Sequence, residues 1–135
     1  MYFNNPDLVY ADDYPEPRYG PGTFQLMMES AFKATYGYEI ESITYGKPNK
    51  ISFEFAANCL REKARKDGVE ISNYYMIGDN PKSDIDGANR LGWTSILVKT
   101  GVFDPTAPTS VNGNDKEHPA THVVDDFEEA IKLIY

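Results

Sequence analysis

Cysteine is nearly absent. Cys59 is the single one in 135 residues, so no internal disulfide framework is available, and a reducing compartment suits the chain. Long apolar runs are missing too: none reaches the ~18 residues of a membrane-spanning helix. Basic residues are outnumbered, with 13 Lys and Arg against 21 Asp and Glu, for a formal charge of −8. That balance excludes nucleic acid or an anionic membrane surface as the main partner, because both need a basic patch. The opening "MYFNNPDLVYADDYPEP" has no basic start and no apolar centre, so it is not a secretory signal. Its acidity also argues against a mitochondrial transit peptide at this end. The expectation is an intracellular protein, with cytoplasm and mitochondrion both open. Histidine is scarce: His118 and His122 are four apart, but Pro119 lies between them, which disfavours a helical metal pair.

What is present supports a folded domain or part of a larger one. Apolar residues make up 41% of the chain, enough for a core. Residues 7–22 start strand-like at Leu8–Tyr10 and then become a loop rich in proline and glycine. Phe24, Met27, Met28, Ala31 and Phe32 fall at helical, core-like spacing, and Gly37 is a natural stop. Residues 38–45 read as a short strand. A long amphipathic helix is predicted from about Asn49 to Lys66, ended by Gly68. Its apolar face is read as Ile51, Phe55, Cys59 and Leu60, which makes Cys59 a buried thiol. "YYMI" at 74–77 is a short apolar run of the kind found in strands buried on both faces. "KSDIDGANRLG" predicts a second helix, "TSILVKTG" another buried strand, 102–120 a loop, "THVV" an outer strand, and "DDFEEAIKLIY" a terminal helix with acids at its start. From Glu39 onward, strands and helices alternate. That order signals an α/β fold with a parallel sheet, and such sheets bind ligands beyond the carboxyl ends of their strands.

Two carboxylates stand at that edge. Asp79 and Asp84 follow the strand "YYMI" in "GDNPKSDID". In one reading Asp79 only caps the next helix and Asp84 faces solvent in its first turn. In the other they converge on a hard cation. Mg²⁺ prefers one or two carboxylates completed by waters and substrate oxygens. Asn80 and Ser83 then contact the ligand or hold the loop.

The second feature is "YGKPNK" at 45–50. Lys47 is either a solvated loop residue before a first-turn proline or a compact positive charge beside an anion site at a helix N-terminus. The stretch is not a Walker loop, since proline follows the lysine and the upstream glycine is missing.

The order of these features, lysine, helix, buried strand, Gly-Asp-Asn and a further aspartate five residues on, resembles the haloacid dehalogenase (HAD) superfamily. "GKP" at 46–48 is similar to its third motif and "GDNPKSDI" at 78–85 to its fourth. "GANRLGWTSILVKTGV" resembles the segment that follows the fourth motif in the NagD-like subgroup. "NNPDLVY" and the helix from Thr23 resemble the end of the cap domain inserted there. Within the subgroup, the wording is most similar to the cat-eye-syndrome critical region protein 5-like branch. The resemblance implies the second half of a Rossmann-like core at 45–135, preceded at 1–44 by the end of a cap and a linker. It implies that Lys47 pairs with a nucleophilic aspartate and the phosphoryl group. Asp79 would ligate Mg²⁺ directly, and Asp84 directly or through water. Asn80 and Ser83 would support the loop, and Asn5 and Asp7 would face a small phosphate ester.

One departure shapes the reading. The superfamily's nucleophile sits in a D-x-D motif early in the chain. Nothing before Lys47 supplies it, nor the Ser/Thr of the second motif; "ADD" at 11–13 lacks the spacing. The chain therefore reads as the C-terminal part of a longer Mg²⁺-dependent phosphohydrolase, inactive alone. The rival is a HAD-like domain that binds a partner or an anion without turnover. Two structural expectations follow. Residues 74–79 pair with 94–100 on one side only, and the open edge favours self-association or an N-terminal partner segment.

Overall fold

The computed structural model describes residues 1–135. Two short strands open it, β1 (Tyr2–Phe3) and β2 (Val9–Tyr10), followed by β3 (Arg18–Tyr19), which pairs antiparallel with β2. Helix α1 (Pro21–Tyr36) starts on a proline and ends at Gly37, whose left-handed conformation lets its N–H bond back to the Lys33 carbonyl. Strand β4 (Ile43–Thr44) pairs in parallel with β1. The strand read at 38–45 is therefore only these two residues long. Helix α2 (Lys50–Asp67) ends at Gly68 in the same left-handed manner.

The central sheet has three parallel strands: β5 (Tyr75–Gly78), β6 (Thr94–Val98) and β9 (His122–Val124), in the order β5-β6-β9. Between β5 and β6 the chain makes one π-helical turn at Pro81–Ile85 and continues as α3 (Asp86–Arg90). The stretch read as a loop at 102–120 contains a hairpin, β7 (Ser110–Val111) and β8 (Asn114–Asp115). Its turn is Asn112-Gly113, both at positive φ, the pairing that suits a tight hairpin. Helix α4 (Phe127–Lys132) closes the chain, its N-terminus capped by Asp126, which accepts from the Glu129 N–H.

Strand β6 lies in the middle and is the best buried. Ile96 and Val98 point to one face, against Ala130 of α4. Leu97 points to the other, with Ile85, Phe103 and Ala120. Ser95 is fully buried, but its hydroxyl donates to Asn89 Oδ1 at 2.7 Å and accepts from the Thr121 N–H at 3.0 Å. A buried hydroxyl satisfied in this way costs little.

Several burial expectations are corrected. Strand β5 is not buried on both faces: Tyr75 is 39% exposed, because β5 is the sheet's edge and bonds to β6 alone. The one-sided pairing is as expected. On α2 the buried stripe is Phe53, Ala57 and Ala64, while Ile51, Phe55 and Leu60 are exposed. Cys59 is exposed with them rather than buried. Phe24 and Met27 of α1 also face outward. Trp93 packs edge-on to Phe53 and is stacked on Tyr74 with ring centres 4.9 Å apart. No helix is long and apolar enough to cross a membrane.

Candidate functional site

The carboxyl end of β5 runs directly into the π turn, and this junction carries the first group of side chains. The turn is capped by Asn80, whose Oδ1 accepts from the Lys82 N–H at 3.1 Å. Asp79 is therefore not spent as a helix cap. Its Oδ2 accepts instead from the Val102 N–H at 2.8 Å, and no protein donor is bonded to its Oδ1. Asp84 is not a solvated first-turn residue either. It is 2% exposed, held by the Asn80 N–H at 3.1 Å on Oδ2 and by the Lys47 ammonium on Oδ1.

Lys47 arrives from the loop before α2. That loop is fixed where the Gly46 N–H donates to Ser52 Oγ at 3.1 Å. The ammonium is thus delivered to the end of β5 from a point 37 residues earlier in the chain. Lys47 is partly open to solvent while Asp84 is closed off. Such a pair gives one buried carboxylate a water-accessible counter-charge.

The N-terminal stretch reaches the same place. Asn80 Nδ2 donates to Asp7 Oδ1 at 3.4 Å, and the Asp7 N–H donates to Asn5 Oδ1 at 2.8 Å. A line of contacts therefore runs Asn5, Asp7, Asn80, Asp84, Lys47. Asp79 lies next to it in sequence, turned toward residues 101–102. Of the residues singled out in the sequence, Ser83 stands apart. It is 3% exposed and its hydroxyl has no hydrogen-bond partner.

One contributor went unread. Gly101 has φ +110°, and a Cβ there would lie 2.1 Å from Asp79 Oδ2. Only glycine lets the backbone close over that carboxylate and present the Val102 N–H to it. The signal was the glycine in "KTGV", directly after a buried strand.

The donor set can be tested against a divalent cation. Asp79 and Asp84 are hard oxygen donors, and Asp79 Oδ1 is unengaged. No group of three His, Cys, Asp or Glu side chains gathers into a ligating cluster. Two carboxylates without a third suit Mg²⁺, which retains waters and takes substrate oxygens, and do not suit a closed zinc site.

Comparison with known proteins identifies the family. A family model described as HAD-hydrolase-like matches residues 44–130. A cardiolipin synthase (CMP-forming)/mitochondrial hydrolase fusion protein of Schizosaccharomyces pombe is 40% identical over 134 residues, covering 98% of this chain and 21% of the relative. Among solved structures, a protein of Cytophaga hutchinsonii described as a possible sugar phosphatase of the HAD superfamily is 29% identical. Its TM-score is 0.70, with 93% of this chain and 40% of that one covered. A glycerol phosphate phosphatase of Mycobacterium tuberculosis, in complex with magnesium, shares the fold at 20% identity and a TM-score of 0.57, covering 94% and 33%. The chain spans less than half the length of each of these proteins.

Proposed function

We propose, for a chain that belongs to the HAD-hydrolase-like family, that it carries the cation- and phosphate-holding half of a Mg²⁺-dependent phosphohydrolase acting on a small phosphate ester. Residues 1–44 are read as the end of a cap and its linker, and residues 45–135 as the second part of the core. The observation that carries the proposal is the contact of Lys47 with Asp84 at the carboxyl end of β5. It joins a charge suited to a phosphoryl group to a carboxylate suited to a cation.

In this reading each residue has a task. Asp79 offers its unengaged Oδ1 to the cation. Asp84 holds it directly or through water. Lys47, anchored by Asp84, lends positive charge to the phosphoryl oxygens. Asn80 fixes the turn and ties it to Asp7, and Asn5 and Asp7 line the approach of the ester. Ser83 supports the loop from inside. Bound Mg²⁺ would supply neutralisation of the charge developing on phosphorus. A carboxylate must still attack phosphorus, and no D-x-D precedes Lys47, so that group is assigned to a segment outside these residues.

The test is a phosphatase screen with Mg²⁺ on this chain and on a version extended by the upstream sequence of its parent. The expected result is no turnover by the chain alone. The extended protein should have Mg²⁺-dependent activity that falls by at least 10²-fold in Asp79→Asn, a loss typical of removing a charge-stabilising group. Robust hydrolysis by the 135 residues that survives Asp79→Asn would sink both the ligand assignment and the missing-nucleophile argument. Absence of activity in an extended protein that carries D-x-D would favour a non-catalytic anion-binding domain.

A further inference from the structure

A cavity of about 450 Å³ opens beside Asn80, between the N-terminal stretch and the segment that follows β6. Leu8, Val9, Val102 and Phe103 give it apolar walls. Cavities that accept small ligands have this character, apolar walls with a few convergent polar groups. The polar groups here are unusual in sign. Asp7, Asp104 and Asp115 face one cation, Lys82.

Asp115 is the informative one. It sits on β8 and is 7% exposed. Its Oδ1 accepts from the N–H groups of Glu117 at 3.0 Å and His118 at 2.7 Å. Its Oδ2 receives no bond from the protein, although the residue lines the cavity. Ser83 lines the same cavity, and its buried hydroxyl is without a partner. Only the Ser83 hydroxyl is closed off and unpaired on this wall, a costly state, whereas Asp115 Oδ2 stays open to the cavity. A donor brought to Asp115 Oδ2 would complete that carboxylate, and a cationic donor would bind it most strongly.

We infer that this cavity receives the part of the substrate beyond the phosphoryl group, and that it selects a short apolar tail ending in a protonated amine. The inference rests on the phosphohydrolase reading for the position of the phosphoryl group beside Lys47 and Asn80. Tails carrying a second anion are disfavoured by the three carboxylates. Asp115 sets the preference from inside the cavity, and Asp104 adds to it from the rim.

The experiment uses this chain with Mg²⁺ and follows its backbone amide signals during titration. The probes are inorganic phosphate, butyl phosphate, 4-aminobutyl phosphate and the same-length phosphate ester with a terminal carboxylate. Inorganic phosphate should move the amides of Lys47 and Asn80 only. Aminobutyl phosphate should also move those of Val102, Phe103 and Asp115, and should bind at least fivefold more tightly than the carboxylate ester. Asp115→Asn keeps the Oδ1 acceptor and should bring the aminobutyl and butyl esters to parity. Asp104→Asn, at an exposed position, keeps the Oδ1 acceptor that holds the Thr106 N–H and hydroxyl and should lower the preference about twofold. Equal affinity for the three tails, with inorganic phosphate still binding, would overturn this inference and leave the phosphate reading intact. No response to inorganic phosphate would remove the phosphate reading, and the tail selectivity would fall with it.

Discussion

The two sides of the central sheet are finished to different degrees. On the side of β6, β9 and α4, Ile96, Leu97 and Ser95 are fully buried, and the polar atoms of Ser95 are satisfied. On the side of β5 and α2, Tyr75, Phe55, Ile51 and Leu60 stay open, and the outer edge of β5 has no neighbour. Both sides carry large apolar side chains in the sequence. The difference is whether a covering element lies within these residues, so hydrophobicity alone does not report burial. The candidate site sits where the sides meet, which explains how Asp84 is enclosed while Lys47 remains reachable from water.

The contrast is broken most sharply by truncating one large side chain on each side. Leu97→Ala removes a fully buried side chain from a packed cluster. It should cost about 2–5 kcal/mol, the sum of lost transfer energy and the cavity left behind. Phe55→Ala removes a larger side chain that is 71% exposed, and its cost should stay within about 0.5 kcal/mol. Urea unfolding of both variants checks this. A comparable loss from Phe55→Ala would mean that the open side is covered in solution.

Much of this difference could not be read in advance. The ends of α1 and α2 were legible, because Gly37 and Gly68 stop a helix through their own backbone freedom. The lysine and the two aspartates were legible as a site because strand ends collect ligands in parallel sheets. The face of α2 was not. Its larger residues, Ile51, Phe55 and Leu60, suggested one stripe, and the stripe that packs is Phe53, Ala57 and Ala64. The reason is proximity. Phe53 lies so near α3 that a Cβ at Gly87 would be 2.1 Å from its ring, and only small neighbours permit that approach. Nor could "YYMI" disclose that it would be an edge, since an apolar run says nothing about how many strands flank it. The closure of 101–102 over Asp79 depends on a contact more than twenty residues apart in sequence, and the walls of the cavity beside Asn80 come from stretches further apart still.

A smaller effect is expected at the junction of the two sides. Lys47→Met leaves the Asp84 carboxylate 2% exposed with the Asn80 N–H as its remaining partner. Stranding one member of a fully buried pair costs about 3–5 kcal/mol. Lys47 is 42% exposed, so water compensates in part, and a loss of about 1–2 kcal/mol is expected. Asp84→Asn strands nothing buried and charged, since the freed ammonium can turn to solvent, and it should cost less. Thermal melts of the two variants test the order. If Asp84→Asn is the more damaging, then the packing of Asp84, rather than the ion pair, holds the turn.

Self-association comes next in size. The free edge of β5 offers unpaired N–H and C=O groups next to exposed apolar side chains, a combination that recruits other strands. Sedimentation of the chain should show an apparent mass that rises with concentration. Tyr75→Lys places a charge on that edge and should weaken association roughly threefold, or about 0.6 kcal/mol. A monomer at every concentration, unchanged by Tyr75→Lys, would mean that the open edge is not sticky.

The smallest effect belongs to a surface pair far from either side of the sheet. Lys33 and Glu39 meet at 2.8 Å just beyond the end of α1. The hydrogen bond and charge of Glu39 hold the Lys33 ammonium above its ordinary value, and those of Lys33 hold the Glu39 carboxyl below its ordinary value. A carboxyl lowered in the folded state contributes stability that is fully present above its unfolded value. That contribution is lost as pH falls through its folded value. A lysine raised in the folded state contributes below its unfolded value and loses that contribution only at strongly alkaline pH. At neutral pH both contributions are present. Because both side chains lie in water, salt screens their attraction, and pairs of this kind add little to stability. Glu39→Gln should therefore lower Tm slightly at pH 7 in low salt. The difference from the unsubstituted chain should shrink at 1 M salt, and should vanish when the pH is taken below the folded value of Glu39. Melts in these three buffers decide it. A difference that persists at acid pH would show that Glu39 acts through packing or chain geometry at the end of α1, and not through its charge.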